Sequence, residues 1–164
     1  MKLYVTDANI FIDLFHADLL DAIPSAGLRL VTTAFVFDEL EPIQQIALDA
    51  LKNAGYLNVI EIDYNQLQNV DYPKGLSLPD KSVLCLASFQ GARILTGDGL
   101  LRRTAEKLGI QTFGLLWLFN ELVEIKIIEP SVAITKLLFL VEEKNSRKPM
   151  KAFQHLIDRW KQLK

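Results

Sequence analysis

Lys2-Leu3-Tyr4-Val5-Thr6-Asp7-Ala8-Asn9-Ile10-Phe11-Ile12-Asp13 joins a short apolar run to an acid and then to apolar residues at helical spacing. Leu3 to Val5 reads as a first strand, and Ile10, Phe11, Leu14 and Phe15 mark the buried side of the helix that follows. The same grammar recurs downstream. Arg93-Ile94-Leu95-Thr96 reads as a strand, Gly97-Asp98-Gly99 as a sharp turn, and Leu100 to Leu108 as a helix closed by Gly109. Alternating short apolar runs and helical patterns specify an α/β class, a three-layer α/β/α architecture with a central parallel sheet.

Outward from these two stretches the pattern continues. Leu28 to Thr32 suits a second strand after the Pro24 to Gly27 turn, and one long helix is expected from about Ala34 to Asn53. Asn58 to Ile62 is a third strand, Asn69 to Pro79 a loop, and Asp80 to Gln90 a helix stopped by Gly91. Gln111 to Phe113 is a last strand. Helices at Leu115 to Val123, Ser131 to Glu143 and Met150 to Leu163 complete the chain. The expected organisation is a single domain over 1–164, with an α/β core at 1–125 and a helical C-terminal extension at 126–164. Met150, Phe153, Ile157 and Trp160 form one stripe, suited to core packing or to a groove for a partner helix. Leu137 to Val141 is apolar nearly all round, which fits deep burial or an oligomer interface.

The 164 residues are half hydrophobic and 23% charged, enough to bury a sizeable core and inconsistent with disorder. A net charge of −2 excludes a generic polycation. Its distribution is uneven: 13 acids against 6 bases through Asp98, then 7 acids against 12 bases from Gly99 onward. An acidic pit beside a phosphate-attracting rim is one arrangement this permits. Cys85 lies in the apolar run Val83 to Ala87 and reads as a core thiol; alone, it excludes an internal disulfide and cysteine-built zinc clusters. Asp7 and Asp13 break any secretory apolar stretch, and the densest apolar runs are too short to cross a bilayer. No membrane association is expected, and a cytoplasmic location is.

Ligand sites in open parallel sheets form beyond the carboxyl ends of the strands. Asp7 and Asp98 end two strands and would project there, although each alone suits a helix cap. On the expected long helix, Glu39 shares a stripe with Ile43, Ile46 and Ala50 and points inward, whereas Asp38 and Glu41 lie on the solvated face. Asp80 starts its helix one turn before Leu84 and Ala87, on the buried side, while Lys81 aligns with Cys85 and Ser88. Several buried acids repel one another unless a cation neutralises them. Oxygen donors without cysteine or paired histidines favour Mg2+ or Mn2+, chemistry suited to phosphodiester hydrolysis. His16 and His155 lie outside this pattern, and no Gly-x-Ser-x-Gly elbow is present.

At Val5 to Asp13, Val36 to Leu40, Leu76 to Leu84 and Leu95 to Asp98 the chain resembles PIN-domain nucleases of the VapC-like toxin kind, over roughly Leu3 to Leu118. The resemblance implies metal-binding, catalytic roles for Asp7, Glu39, Asp80 and Asp98. It implies support from Thr96 through its hydroxyl, and from Asn9 as a group orienting Asp7 or a water. Where the family has a small residue after the third acid, this chain has Lys81; pointing inward it would weaken metal binding, but its place on the wheel favours a grip on phosphate or neither role. Arg102 and Arg103, beside Lys107 on the helix after Asp98, are expected RNA phosphate contacts.

The expected function is therefore a Mg2+- or Mn2+-dependent endoribonuclease. The resemblance implies the toxin of a toxin–antitoxin pair, with RNA substrate and a small antitoxin partner; a homodimeric state is expected as well. The alternative is a catalytically degenerate module that binds RNA or protein, with Lys81 as its main support. A phosphatase of small phosphates is disfavoured, because its aspartate motif needs a second acid where Asn9 stands.

Overall fold

The structure, a computed structural model, describes residues 2–68, 70–144 and 150–163. Five strands make one all-parallel sheet: β1 (Lys2–Thr6), β2 (Leu28–Thr33), β3 (Leu57–Ile60), β4 (Arg93–Leu95) and β5 (Thr112–Phe113), in the order β3-β2-β1-β4-β5. Val5 pairs with Val31 on one side and Ile94 on the other, and Thr6 lies opposite Leu95. Tyr4, Val5, Leu30, Val31 and Ile94 are almost wholly buried, as expected of strands covered on both faces.

The chain moves from β1 outward to β3 through α1 (Ala8–His16), α2 (Ala22–Ser25), α3 (Ala34–Asp38) and α4 (Pro42–Asn53). It then passes through α5 (Tyr64–Gln68) and α6 (Leu78–Gln90) back across the sheet to β4, and through α7 (Gly99–Lys107) to β5. α1 packs against α4 and α6 against α7, while the short α3 meets α6. The direction of travel reverses between β1 and β4. That switch point opens a crevice at the carboxyl ends of the two strands.

The expected single helix from Ala34 to Asn53 is in fact two. Pro42 lacks an N–H and its ring excludes a helical carbonyl four residues back, so Glu41 is extended (φ −65°, ψ 152°) and Pro42 restarts the helix at its first position. Glu41 N–H donates to Gln44 Oε1 at 2.9 Å, and Gln45 Nε2 donates to Phe37 C=O at 2.9 Å, fixing α4 against α3. The break rotates the second segment relative to the first. Gln44, Leu48 and Leu51 are buried, whereas Ile43 and Ile46 stand 61% and 70% exposed. The stripe that was to carry Glu39 inward therefore does not exist. α5 falls where no helix was expected, and Asn69, at the opening of the expected loop, lies outside the described residues.

α8 (Leu115–Glu124), α9 (Pro130–Lys144) and α10 (Met150–Lys161) follow β5. Tyr4 of β1 meets Trp117 of α8 with ring centroids 5.3 Å apart. Ala133, Leu137, Leu140, Phe153, Ile157 and Trp160 are buried in the same core as the strands, and Trp160 Nε1 donates to Asn120 Oδ1 at 3.2 Å. The α10 stripe packs inward from Phe153 to Trp160; the Met150 side chain lies outside the described residues. Within Leu137 to Val141, Leu137 and Leu140 are buried, while Leu138 and Phe139 are exposed.

Candidate active site

Asp7 follows β1 directly and caps α1. Its extended backbone (φ −82°, ψ 172°) aims Oδ1 at the Ile10 N–H, 3.1 Å away. Oδ2 accepts the hydroxyl of Thr96, which follows β4 on the neighbouring strand. Thr96 Oγ1 in turn accepts the Asp98 N–H at 3.0 Å, and Asp98 caps α7 by accepting the Leu101 N–H at 2.8 Å. One hydroxyl thus ties the Asp7 carboxylate to the Asp98 backbone, whose own carboxylate is held by Leu101. Asp7 and Thr96 are 3% and 0% exposed; Asp98 is half-buried.

The opposite wall comes from α3 and α6. Ser77 caps α6 by accepting the Asp80 N–H at 3.2 Å, which places Asp80, half-buried, in the first turn. Thr33 ends β2 and caps α3 by accepting the Val36 N–H at 3.2 Å. Its hydroxyl lies 2.6 Å from Ser82 Oγ, which donates to Pro79 C=O at 2.6 Å. The Ser82 proton is committed to Pro79, so Thr33 donates to Ser82, and this fully buried relay joins the starts of α3 and α6. Glu39 caps the C-terminal end of α3 and is exposed as a whole.

The charges of Asp80 and Asp98 act on Asp7, that of Asp98 on Asp80, and that of Asp80 on Glu39. Burial pushes Asp7 up to about 7, the bonds from Thr96 and Ile10 oppose it, and the charges of Asp80 and Asp98 raise it further. Asp80 is raised by burial and by Asp98, against bonds from Ser77. Glu39 is raised by partial burial of its head group and then by Asp80. Among the described residues none of the four is ion-paired, so the negative charge stands uncompensated. No three of the described His, Cys, Asp or Glu side chains form a ready-made metal cage. An all-oxygen set of this kind fits a hard dication that keeps most of its water and touches one or two carboxylates directly.

The remaining expected residues divide. Asn9 is exposed in the first turn of α1, and Asp7 is oriented by Ile10 and Thr96 instead. Lys81 is half-buried beside Asp80, and Arg103 is exposed on α7. Arg102 turns inward, its Nη2 donating to Thr96 C=O at 3.2 Å. Sequence reasoning missed Thr33 and Ser82. A threonine ahead of an apolar helical run is an N-cap signal for the first; nothing local marks the second. It also missed Thr6, whose buried Oγ1 has no hydrogen-bond partner among the described residues.

A family model described as DUF3368, a PIN domain, matches residues 3–162. The chain belongs to the PIN-domain family. PIN domains are generally nucleases, of the hydrolase class, and typically use divalent metals. The match spans both the sheet of this PIN domain and its last two helices. No curated protein matches it. Among solved structures, a PilT N-terminus domain protein from the hyperthermophilic archaeon Sulfolobus solfataricus P2 is similar at 13% identity and a TM-score of 0.48, over 71% of this chain and 89% of that one.

Proposed function

We propose that this PIN domain is an endoribonuclease that hydrolyses RNA phosphodiester bonds with Mg2+ or Mn2+. The observation that carries the reading is the gathering of Asp7, Asp80 and Asp98, with Glu39 beside Asp80, at the topological switch point, none of them ion-paired among the described residues. A divalent ion held by these carboxylates would supply Lewis-acid stabilisation of charge developing on the phosphoryl oxygens.

The chain's own residues prepare for that chemistry. Asp7, fixed at both oxygens, supplies a rigid acceptor, and Asp98 lies beside it through the shared Thr96 hydroxyl. Asp80 and Glu39 close the opposite side. The N-termini of α1, α6 and α7 open into the crevice, and their free N–H groups and dipoles favour an anionic backbone. Arg103 and Lys81 supply positive charge on α7 and α6 for RNA phosphates, and Arg102 retains further N–H donors beyond the one given to Thr96. The test is cleavage of single-stranded RNA by purified protein with Mn2+, and its loss in Asp7→Asn at unchanged circular dichroism. Undiminished cleavage in that variant would refute the assignment.

A toxin role with a small antitoxin partner, a homodimeric state and a cytoplasmic location belong to the same proposal. The VapC-like resemblance supports the toxin role. No helix among the described residues is long and apolar enough to cross a membrane. Growth arrest on expression, relieved by a short protein encoded beside this one, tests the toxin role. A non-cutting RNA- or protein-binding module is the second reading. The half-buried Lys81 next to Asp80, and the lack of a ready-made cage among the described residues, favour it. Calorimetry separates the two, because a scaffold shows no Mn2+ binding that depends on Asp80 and Glu39.

A further inference from the structure

We propose that Arg102 and Gly114 form a latch that positions the Thr96 hydroxyl, and through it the carboxylate of Asp7 and the backbone amide of Asp98, which makes Arg102 a positioning residue. Its importance for metal binding rests on the functional reading above. Thr96 is held from three directions. Its N–H donates to Phe113 C=O at 2.9 Å, its C=O accepts Arg102 Nη2 at 3.2 Å, and its hydroxyl joins Asp7 and Asp98. The Arg102 N–H makes the first helical bond of α7, to Asp98 C=O at 3.0 Å, so its side chain starts one turn into the helix and reaches back to the Thr96 carbonyl.

Gly114 explains how the guanidinium reaches that position. A Cβ there would lie 2.7 Å from Arg102 Nη2 and 3.6 Å from the Thr96 carbonyl oxygen. The backbone at Gly114 (φ −118°, ψ −175°) is ordinary extended chain that any residue adopts. Glycine leaves the space that the guanidinium occupies, and an added methyl would move Arg102 off the Thr96 carbonyl without straining the backbone. Two residues with no part in the carboxylate set, one on α7 and one between β5 and α8, converge on the carbonyl of the residue that orients it.

The experiment is a double-mutant cycle with Arg102→Met, Gly114→Ala and the pair together. In metal-free protein, exchange of the Asp98 amide, which donates to Thr96 Oγ1, should quicken about tenfold in each single variant, while core amides such as Leu30 keep their protection. Mn2+ affinity by calorimetry should fall about tenfold in each, the scale of an outer-shell partner. The double variant should equal either single one, because alanine at 114 has nothing to displace once the guanidinium is gone. If Arg102→Met does not fold, Arg102→Lys replaces it, keeping stem and charge but losing the planar fork. Wild-type exchange in both single variants, or effects that multiply in the double, overturns the latch. Absence of Mn2+ binding by the unaltered protein overturns the functional reading instead, and the amide cycle then decides the latch alone.

Discussion

Along the β1–β4 seam, Asp7 and Asp98 share the Thr96 hydroxyl, each caps a helix, and Asp7 is almost wholly buried. Across the crevice, Asp80 and Glu39 are half-buried and exposed. They sit on helices joined through the Thr33–Ser82 relay rather than through the acids themselves. The difference is one of preorganisation. The seam fixes its acids by hydrogen bonds across two strands, whereas on the opposite wall Asp80 is held only locally by Ser77 and Glu39 is exposed, leaving more room to adjust around an incoming cation and phosphate.

Breaking the seam should have the largest effect. Asp7→Asn and Asp98→Asn should each lower RNA cleavage by more than about a hundredfold, beyond the cost of an outer-shell partner; single-turnover assays with Mn2+ measure this. Glu39→Gln and Asp80→Asn should lower it less, by about tenfold or more, while leaving the thermal midpoint unchanged or raised, since each removes a repelling charge. Equal losses on both sides would erase the distinction. Thr96→Val leaves buried partners unpaired on Asp7 and at the Asp98 amide and should destabilise the fold by about 1–3 kcal/mol in urea melts. Ser82→Ala, which breaks only the relay behind the wall, should cost about 1 kcal/mol.

A pH dependence is also expected, and it is specific to the seam. Folded Asp7 keeps its proton to about pH 7, whereas the unfolded chain releases it near 3.8, so between these values the folded state binds more protons. Stability of the metal-free protein should therefore fall as pH rises through that window, and the Asp7 penalty is complete above about 7. A drop of about 5 °C in thermal midpoint between pH 5 and pH 8 is expected. Asp7→Asn should flatten it, and Glu39→Gln should leave most of it in place.

The seam was legible in the sequence because strand, acid and helix follow one another without interruption at both Asp7 and Asp98, and strand ends fix where such acids point. Glu39 was reached through a helical wheel that runs across Pro42, and the proline invalidates the wheel. Its link to Asp80 comes instead from α3 packing on α6, a tertiary contact that no local periodicity encodes. Arg102 read as surface charge on a basic helix. Its inward turn depends on the missing side chain of Gly114, twelve residues on, in another element.

Burial raises Asp7 to about 7, so near neutral pH it is partly protonated, and a cation bound there must displace that share of proton. Calorimetric titration of metal-free protein with Mn2+ at pH 7, repeated in buffers of different ionisation enthalpy, tests this directly. Saturable binding with proton release, lost in Asp7→Asn, is the predicted result. Buffer-independent heats, or the same isotherm for both proteins, would contradict it.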